Sequence, residues 1–266
     1  MDAGITSKNN ERLRRAKRLQ RKKYRDQLGM FLLEGVRIVG DALATSLVDE
    51  LFFGPRLYDT PRGAEVVKRA QNQGIPALKC SDEVLAELTE TVSSQGVVAV
   101  VRKPSWPLSC SGLMLVADGI QDPGNMGSLL RTAAGAGVRG LLVVQGSVDL
   151  YNPKVVRSSM GAVLHLPHWY LSRQDILRLV RENGSTLALA DLLQAESMWD
   201  VRFPNDVALV VGNEAWGIHA DFRKEAQLRV EIPLTGAVES LNASVAAGIL
   251  LYEILRQRRS IRNSQE

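Results

Sequence analysis

The residues best suited to chemistry gather in three loops of the C-terminal half, each bearing glycine and asparagine. They are VADGIQDPGNMGSLLRTAAGAG (residues 116–137), LVVGNEAWGI (209–218) and IPLTGAVESLNASVAAGILLYE (232–253). The third opens as a loop, because Pro233, Gly236 and the polar pair Glu239 and Ser240 break any periodicity. Residues 243–251 are small and apolar almost all round, which suits a helix buried on most faces. Ser240 or Asn242 can cap its first turn, where unpaired backbone N–H groups make a seat for a polar ligand. An ordinary capped core helix is the plainer alternative. All three loops follow strands, and ligands of open α/β sheets collect beyond the carboxyl ends of strands.

Other chemistries find little support. Gly135, Gly137 and Gly140 spell G-x-G-x-x-G, but at a helix end leading into a strand, the reverse of a dinucleotide site. No G-x-x-x-x-G-K-[ST] phosphate loop or G-x-S-x-G nucleophile elbow occurs. His165, His168 and His219 have no Cys or carboxylate companions at metal-ligand spacing, so no metal is expected.

The elements that must position these loops alternate along the chain. Residues 10–23 read as a basic helix with Leu13, Ala16 and Leu19 as a thin apolar stripe. Strands follow at 30–33, 51–53, 77–79 and 97–101, with helices at 36–44, 63–73 and 82–89, the last capped by Ser81. Residues 103–112, KPSWPLSCSG, carry two prolines and three serines without periodicity and read as a linker. Beyond it, strands are expected at 113–117, 140–144, 186–190, 207–211 and 229–232. Helices are expected at 126–135, 153–160, 172–182 and from 243 to about 258. The fold class is therefore α/β in two domains: residues 1–102 as a small domain with a basic arm, and 113–266 with a largely parallel sheet.

Charge is unevenly spread over the 266 residues. Residues 1–25 hold ten Lys/Arg against Asp2 and Glu11, about +8 in a chain of net +4, so the remainder is about −4. A concentrated basic arm points to a polyanion, most simply nucleic acid, although a solvated charged helix looks the same in sequence. Cys80 and Cys110 imply no disulfide framework and fit a reducing cytoplasm. No apolar run reaches membrane-span length, and the basic start lacks the apolar core of a signal peptide.

The motifs D-P-G-N-M-G-S-L-L-R-T-A, G-N-E-A-W-G and I-P-L…E-S-L-N-A-S-V-A resemble, in order and spacing, the three signatures of the SpoU/TrmH family of RNA 2′-O-ribose methyltransferases. The resemblance covers about residues 113–258. Residues 31–43, FLLEGVRIVGDAL, resemble the N-terminal substrate-binding domain, related to a small ribosomal protein, of members that act on ribosomal RNA. The resemblance implies a deep trefoil knot, S-adenosyl-methionine bound in a bent form by the knotted loops, and a homodimer with each site near the partner chain. It carries catalytic roles to Asn125, Arg131, Glu214, Ser240 and Asn242, and cofactor contacts to Gly212, Asn213, Gly217, Ile232, Leu234 and Leu241. Arg131 matches a residue proposed in that family as the proton acceptor, yet a guanidinium stays protonated at ordinary pH. A clamp on an RNA phosphate is the reading preferred for it. Ribosomal RNA is the expected substrate. A transfer-RNA ribose methyltransferase and a non-catalytic RNA-binding or ribosome-assembly factor are the alternatives.

Overall fold

In the computed structural model, residues 4–59, 61–89 and 94–263 are described, without the side chains of 261–263. The first three residues of the basic arm therefore lie outside the described residues. The chain forms two compact units, Met1–Ser105 with Tyr151–Leu164, and Trp106–Leu150 with His165–Glu266.

The first unit opens with α1 (Glu11–Arg18) and α2 (Lys22–Leu28), followed by β1 (Met30–Glu34) and α3 (Val36–Ala42). Next come β2 (Val48–Phe53), α4 (Pro61–Asn72), β3 (Ala77–Lys79), α5 (Asp82–Leu85) and β4 (Val97–Arg102). Its sheet runs β1-β4-β2-β3. β4 is antiparallel to both neighbours, while β2 and β3 are parallel.

The basic segment expected as one helix is two. Asn10 Oδ1 caps α1 by accepting from Arg12 and Leu13 N–H. Arg25, 3% exposed, turns back and donates from Nη1 to the carbonyls of Leu19 (2.9 Å) and Gln20 (2.8 Å). Those carbonyls end α1, so satisfying them with a buried guanidinium fixes the break. The apolar stripe is real: Leu13, Ala16 and Leu19 are at most 1% exposed and pack with Phe52, Leu85 and Val98. Burying each leucine stabilises the unit by about 2 kcal/mol.

The second unit contains β5 (Leu113–Asp118), α6 (Pro123–Gly135) and β6 (Gly140–Val144). The chain then crosses into α7 (Pro153–Ser158), which packs against β1 of the first unit although it lies well past the linker in sequence. It returns through β7 (His168–Leu171), α8 (Arg173–Glu182), β8 (Thr186–Ala190), β9 (Glu196–Ser197) and β10 (Val207–Gly212). α9 (Ala220–Glu225), β11 (Leu228–Glu231) and α10 (Ala243–Asn263) complete it. The seven-stranded sheet, β7-β6-β5-β10-β8-β11-β9, is parallel throughout. β7, β9 and α9 were not legible as periodic segments: β7 and β9 are short edge strands, and only Phe222 of α9 is buried.

The strand order explains where a site forms. The chain builds β5, β6 and β7 outward on one side, then restarts with β8 on the other. β10 then inserts between β5 and β8, and β11 between β8 and β9. The apolar strands Leu113–Asp118 and Val207–Gly212 thus become the buried centre of the sheet. Loops from both halves meet at their carboxyl ends, the switch point of the sheet.

Among the described residues no helix is long and apolar enough to cross a membrane, and no group of three or more His, Cys, Asp or Glu is placed to hold a metal ion.

Candidate active site

All three loops reach the carboxyl edge of the second unit's sheet, and local chemistry fixes each. α6 begins with Asp122 as N-cap, its side chain accepting from Asn125 N–H at 2.8 Å, and Pro123 in the first helical position. Asn125 is thereby held in the first turn, half-buried.

After β10 the chain makes a tight hairpin. Asn213 and Gly217 exchange two backbone hydrogen bonds (3.1 and 2.9 Å), and Asn213 Oδ1 accepts from Ala215 N–H at 2.7 Å. Gly217 has φ +67°, a conformation that favours glycine. At Gly212 a Cβ would stand 2.4 Å from the carbonyl carbon of Gly217, so only glycine lets the hairpin close.

The first loop and the hairpin are tied twice. Asn213, 7% exposed, donates from Nδ2 to Gly119 O at 2.7 Å. Asp118, 2% exposed at the end of β5, accepts from His219 N–H at 2.8 Å and from Arg173 Nε at 2.9 Å. A second, partly buried pair involves the residue after β8: Asp191 accepts from Arg223 Nε at 2.6 Å and also from Leu192 N–H at 2.9 Å. Sequence reasoning missed both aspartates, because each pairs with an arginine of a different element.

The third loop enters α10 at Asn242, whose Oδ1 accepts from Ser244 N–H (3.0 Å) and Oγ (2.7 Å). Of the two candidate caps, Asn242 is the one used. Its Nδ2 donates to Asn125 Oδ1 at 2.9 Å, and Asn125 Nδ2 in turn donates to Glu214 Oε1 at 2.5 Å. One residue from each loop therefore joins a continuous polar chain, Asn242–Asn125–Glu214.

Beside that chain lies a cavity of about 690 Å³, floored by the ends of β8, β10 and β11 and walled by the start of α10. Gly212, Asn213, Gly217, Ile232, Leu234 and Leu241, the residues expected to hold a cofactor, all line it, as do Glu214, Ser240 and Asn242. Its volume falls in the range of small-molecule sites. Ile232, Leu234 and Leu241 give it an apolar wall, while Gly212 lets backbone come close. Asn125 is not in the lining but is bonded to Glu214 and Asn242, which are; Arg131 is the one expected residue that joins neither the cavity wall nor the polar chain. It is exposed on α6 about two turns beyond Asn125, and it is not in the cavity wall.

The chain matches the SpoU rRNA Methylase family over residues 112–252 and an MRM3-like substrate binding domain over residues 10–99. It is 33% identical to an uncharacterized tRNA/rRNA methyltransferase of Synechocystis, covering 96% of this chain and 94% of that protein. It is 30% identical to the 23S rRNA (guanosine(2553)-2′-O)-methyltransferase RlmP of Bacillus subtilis, covering 94% and 98%. The crystal structure of an AdoMet-bound rRNA methyltransferase from Sinorhizobium meliloti superposes with a TM-score of 0.84 at 28% identity, over 95% of this chain and 97% of that one. With its three loops converged on one cavity and its matched segment spanning more than half of its length, this chain belongs to the SpoU rRNA methylase family.

Proposed function

We propose that this protein methylates a ribose 2′-hydroxyl of ribosomal RNA, using S-adenosyl-methionine. The observation that carries the reading is the polar chain Asn242–Asn125–Glu214 at the mouth of a cofactor-sized cavity. Bound S-adenosyl-methionine supplies a methyl already activated on a sulfonium. What the protein must add is alignment of the hydroxyl and a path for its proton. Ile232, Leu234 and Leu241 suit an adenine face, and the 212–217 hairpin suits the nucleoside edge. Glu214, held through Oε1 by Asn125, is a fixed acceptor for a hydroxyl hydrogen bond. Ser240, on the cavity wall, would help orient the ribose.

Arg131 enters through a second copy. A homodimer sharing the exposed face of α6 and α10 would bring Arg131 of one protomer toward the site of the other. There it would clamp an RNA phosphate beside the developing negative charge. That face carries the exposed Val245 and Tyr252, and the helices already lie close, since a Cβ on Gly248 would stand 3.3 Å from Thr132 Cγ2. In this reading residues 1–102 grip the substrate, 103–112 link, and 113–266 perform the transfer in the cytoplasm. The match of the first unit to a substrate binding domain favours ribosomal over transfer RNA.

The test is transfer of labelled methyl from S-adenosyl-methionine to unmodified large-subunit ribosomal RNA transcripts, followed by mapping of ribose methylation in RNA from cells with and without the gene. A single 2′-O-methyl mark that disappears with the gene is expected. Calorimetry giving no heat with either S-adenosyl-methionine or S-adenosyl-homocysteine would instead favour a binding protein. Arg131→Ala and Arg131→Lys both at full activity would remove Arg131 from the mechanism.

A further inference from the structure

A cofactor and the polar chain leave unexplained three large apolar side chains that stand in solvent on the cavity wall. Trp216 is 73% exposed, Leu193 58% and Leu192 56%. Among the described residues no large hydrophobic side chain is more exposed than Trp216. Its backbone is not loose. The 213–217 hairpin bonds hold it on both sides, Asn213 Oδ1 accepts from its N–H at 3.4 Å, and Asn213 is anchored to Gly119. A turn tip tolerates almost any polar residue, so an indole fixed there forgoes the burial that tryptophan has on average. A flat aromatic standing mostly in solvent on a rigid turn is built to receive a flat ligand.

The proposed chemistry, on which this inference rests, names that ligand. A ribose whose 2′-hydroxyl sits at Glu214 brings its own base with it, joined to the same sugar ring. Glu214 and Trp216 are two residues apart on one hairpin, and bases splayed out of unpaired RNA are the ones that proteins stack on aromatic side chains. We infer that Trp216 is a substrate-binding residue that stacks on the unpaired nucleobase of the nucleotide being methylated, with Leu192 and Leu193 as apolar lining of the same cavity. Stacking of this kind is tolerant of base identity, so Trp216 supplies affinity and orientation while the rest of the RNA selects the position.

The experiment compares the full-length wild type with Trp216→Ala and Trp216→Phe on an unmodified large-subunit ribosomal RNA transcript. Trp216→Ala should raise KM for RNA about tenfold and Trp216→Phe by only about two- to threefold, as expected for loss and retention of a stacking ring. Calorimetric affinity for S-adenosyl-methionine and sedimentation behaviour should match wild type in both. RNA should also quench wild-type tryptophan fluorescence by a component absent from Trp216→Phe, which decides the matter even if Trp216→Ala folds poorly. An unchanged KM with no such component overturns the proposal. So does an equal loss of cofactor affinity, which makes Trp216 an adenine contact, or a shift in oligomeric state, which makes it a contact with a second copy. A wild type that transfers no methyl yet is quenched through Trp216 would sink the methyltransferase reading and leave base stacking standing.

Discussion

Asn242 Nδ2 donates to Asn125 Oδ1 at 2.9 Å across 117 positions of sequence, joining the residue that caps α10 to one in the first turn of α6. The two helices continue side by side from that bond. A Cβ on Gly248 would come within 3.3 Å of Thr132, and one on Gly135 within 3.5 Å of the Tyr252 hydroxyl. Asn242 therefore has two separable duties, capping α10 through Oδ1 and holding Asn125 through Nδ2.

Asn242→Asp separates them. A carboxylate still accepts from Ser244 N–H, but it cannot donate to Asn125. If the Asn125 amide turns over to donate to it, the hydrogen bond to Glu214 is lost instead. We expect Asn242→Asp to keep the thermal midpoint of wild type and lower kcat at least tenfold, with cofactor affinity within about threefold. Asn242→Ala should show the same loss in kcat and, in addition, about 1 kcal/mol of lost stability from the missing cap. Wild-type kcat in Asn242→Asp would take the polar chain out of the mechanism.

The hairpin after β10 depends on Gly212 for a reason independent of φ. The added methyl of Gly212→Ala would meet Gly217 C, Gly217 O and Ile218 N at 2.4, 2.5 and 2.6 Å, all backbone atoms that cannot rotate away. The hairpin must open, taking Glu214 and its bond to Asn125 with it. Calorimetry should record at least a tenfold loss of S-adenosyl-methionine affinity, while the far-ultraviolet circular dichroism stays near wild type because the strands themselves remain. Unaltered affinity would mean that this hairpin does not shape the cofactor pocket.

How much of this was readable beforehand differs by kind of interaction. The third loop announced itself through a residue whose backbone role is local, Asn242 as a cap, whereas the first helix turn at Pro123–Asn125, ahead of the expected start at 126, was not read. The contacts between loops had no such signature. Nothing near Asp118 or Asp191 foretells Arg173 or Arg223, and the insertion of β10 between β5 and β8 is decided by packing of strands that all look alike, apolar and short. Arg131 shows the limit from the other side, since its motif position marks it for a site that its own chain does not bring it to. Trp216 was hidden because nothing in a short turn sequence tells whether its one aromatic is buried or stands in solvent.

The basic arm illustrates how charge in sequence overstates charge available to a ligand. Lys8 and Lys17 are spent on Glu87, Arg12 on Glu50, Lys22 on Asp26, and Arg25 on the carbonyls of α1. Deleting residues 1–25 would also strip Leu13 and Leu19 from the core, so it tests folding more than binding. Replacing Arg14, Arg21 and Lys23 by glutamine leaves that core untouched. If these three contact phosphates, the salt dependence of RNA binding should flatten, its log–log slope falling by about 2, with the thermal midpoint unchanged. An unaltered slope would make these side chains bystanders.

Glu87 gives the same arm a pH signature. The ammonium groups of Lys17 and Lys8 hold its carboxyl down at about 2, well below the usual 4.5. A carboxylate whose pKa is depressed by folding stabilises the folded state above its unfolded value and loses that contribution as pH falls toward the folded one. The urea midpoints of wild type and Glu87→Gln should therefore differ at pH 6 and converge between about pH 4.5 and 2. Because both lysines are half-exposed, 1 M salt should shrink the difference at pH 6 as well. A gap that persists at pH 2 would mean that Glu87 secures α1 through packing or neutral hydrogen bonding, and that the lysines pair with it only incidentally.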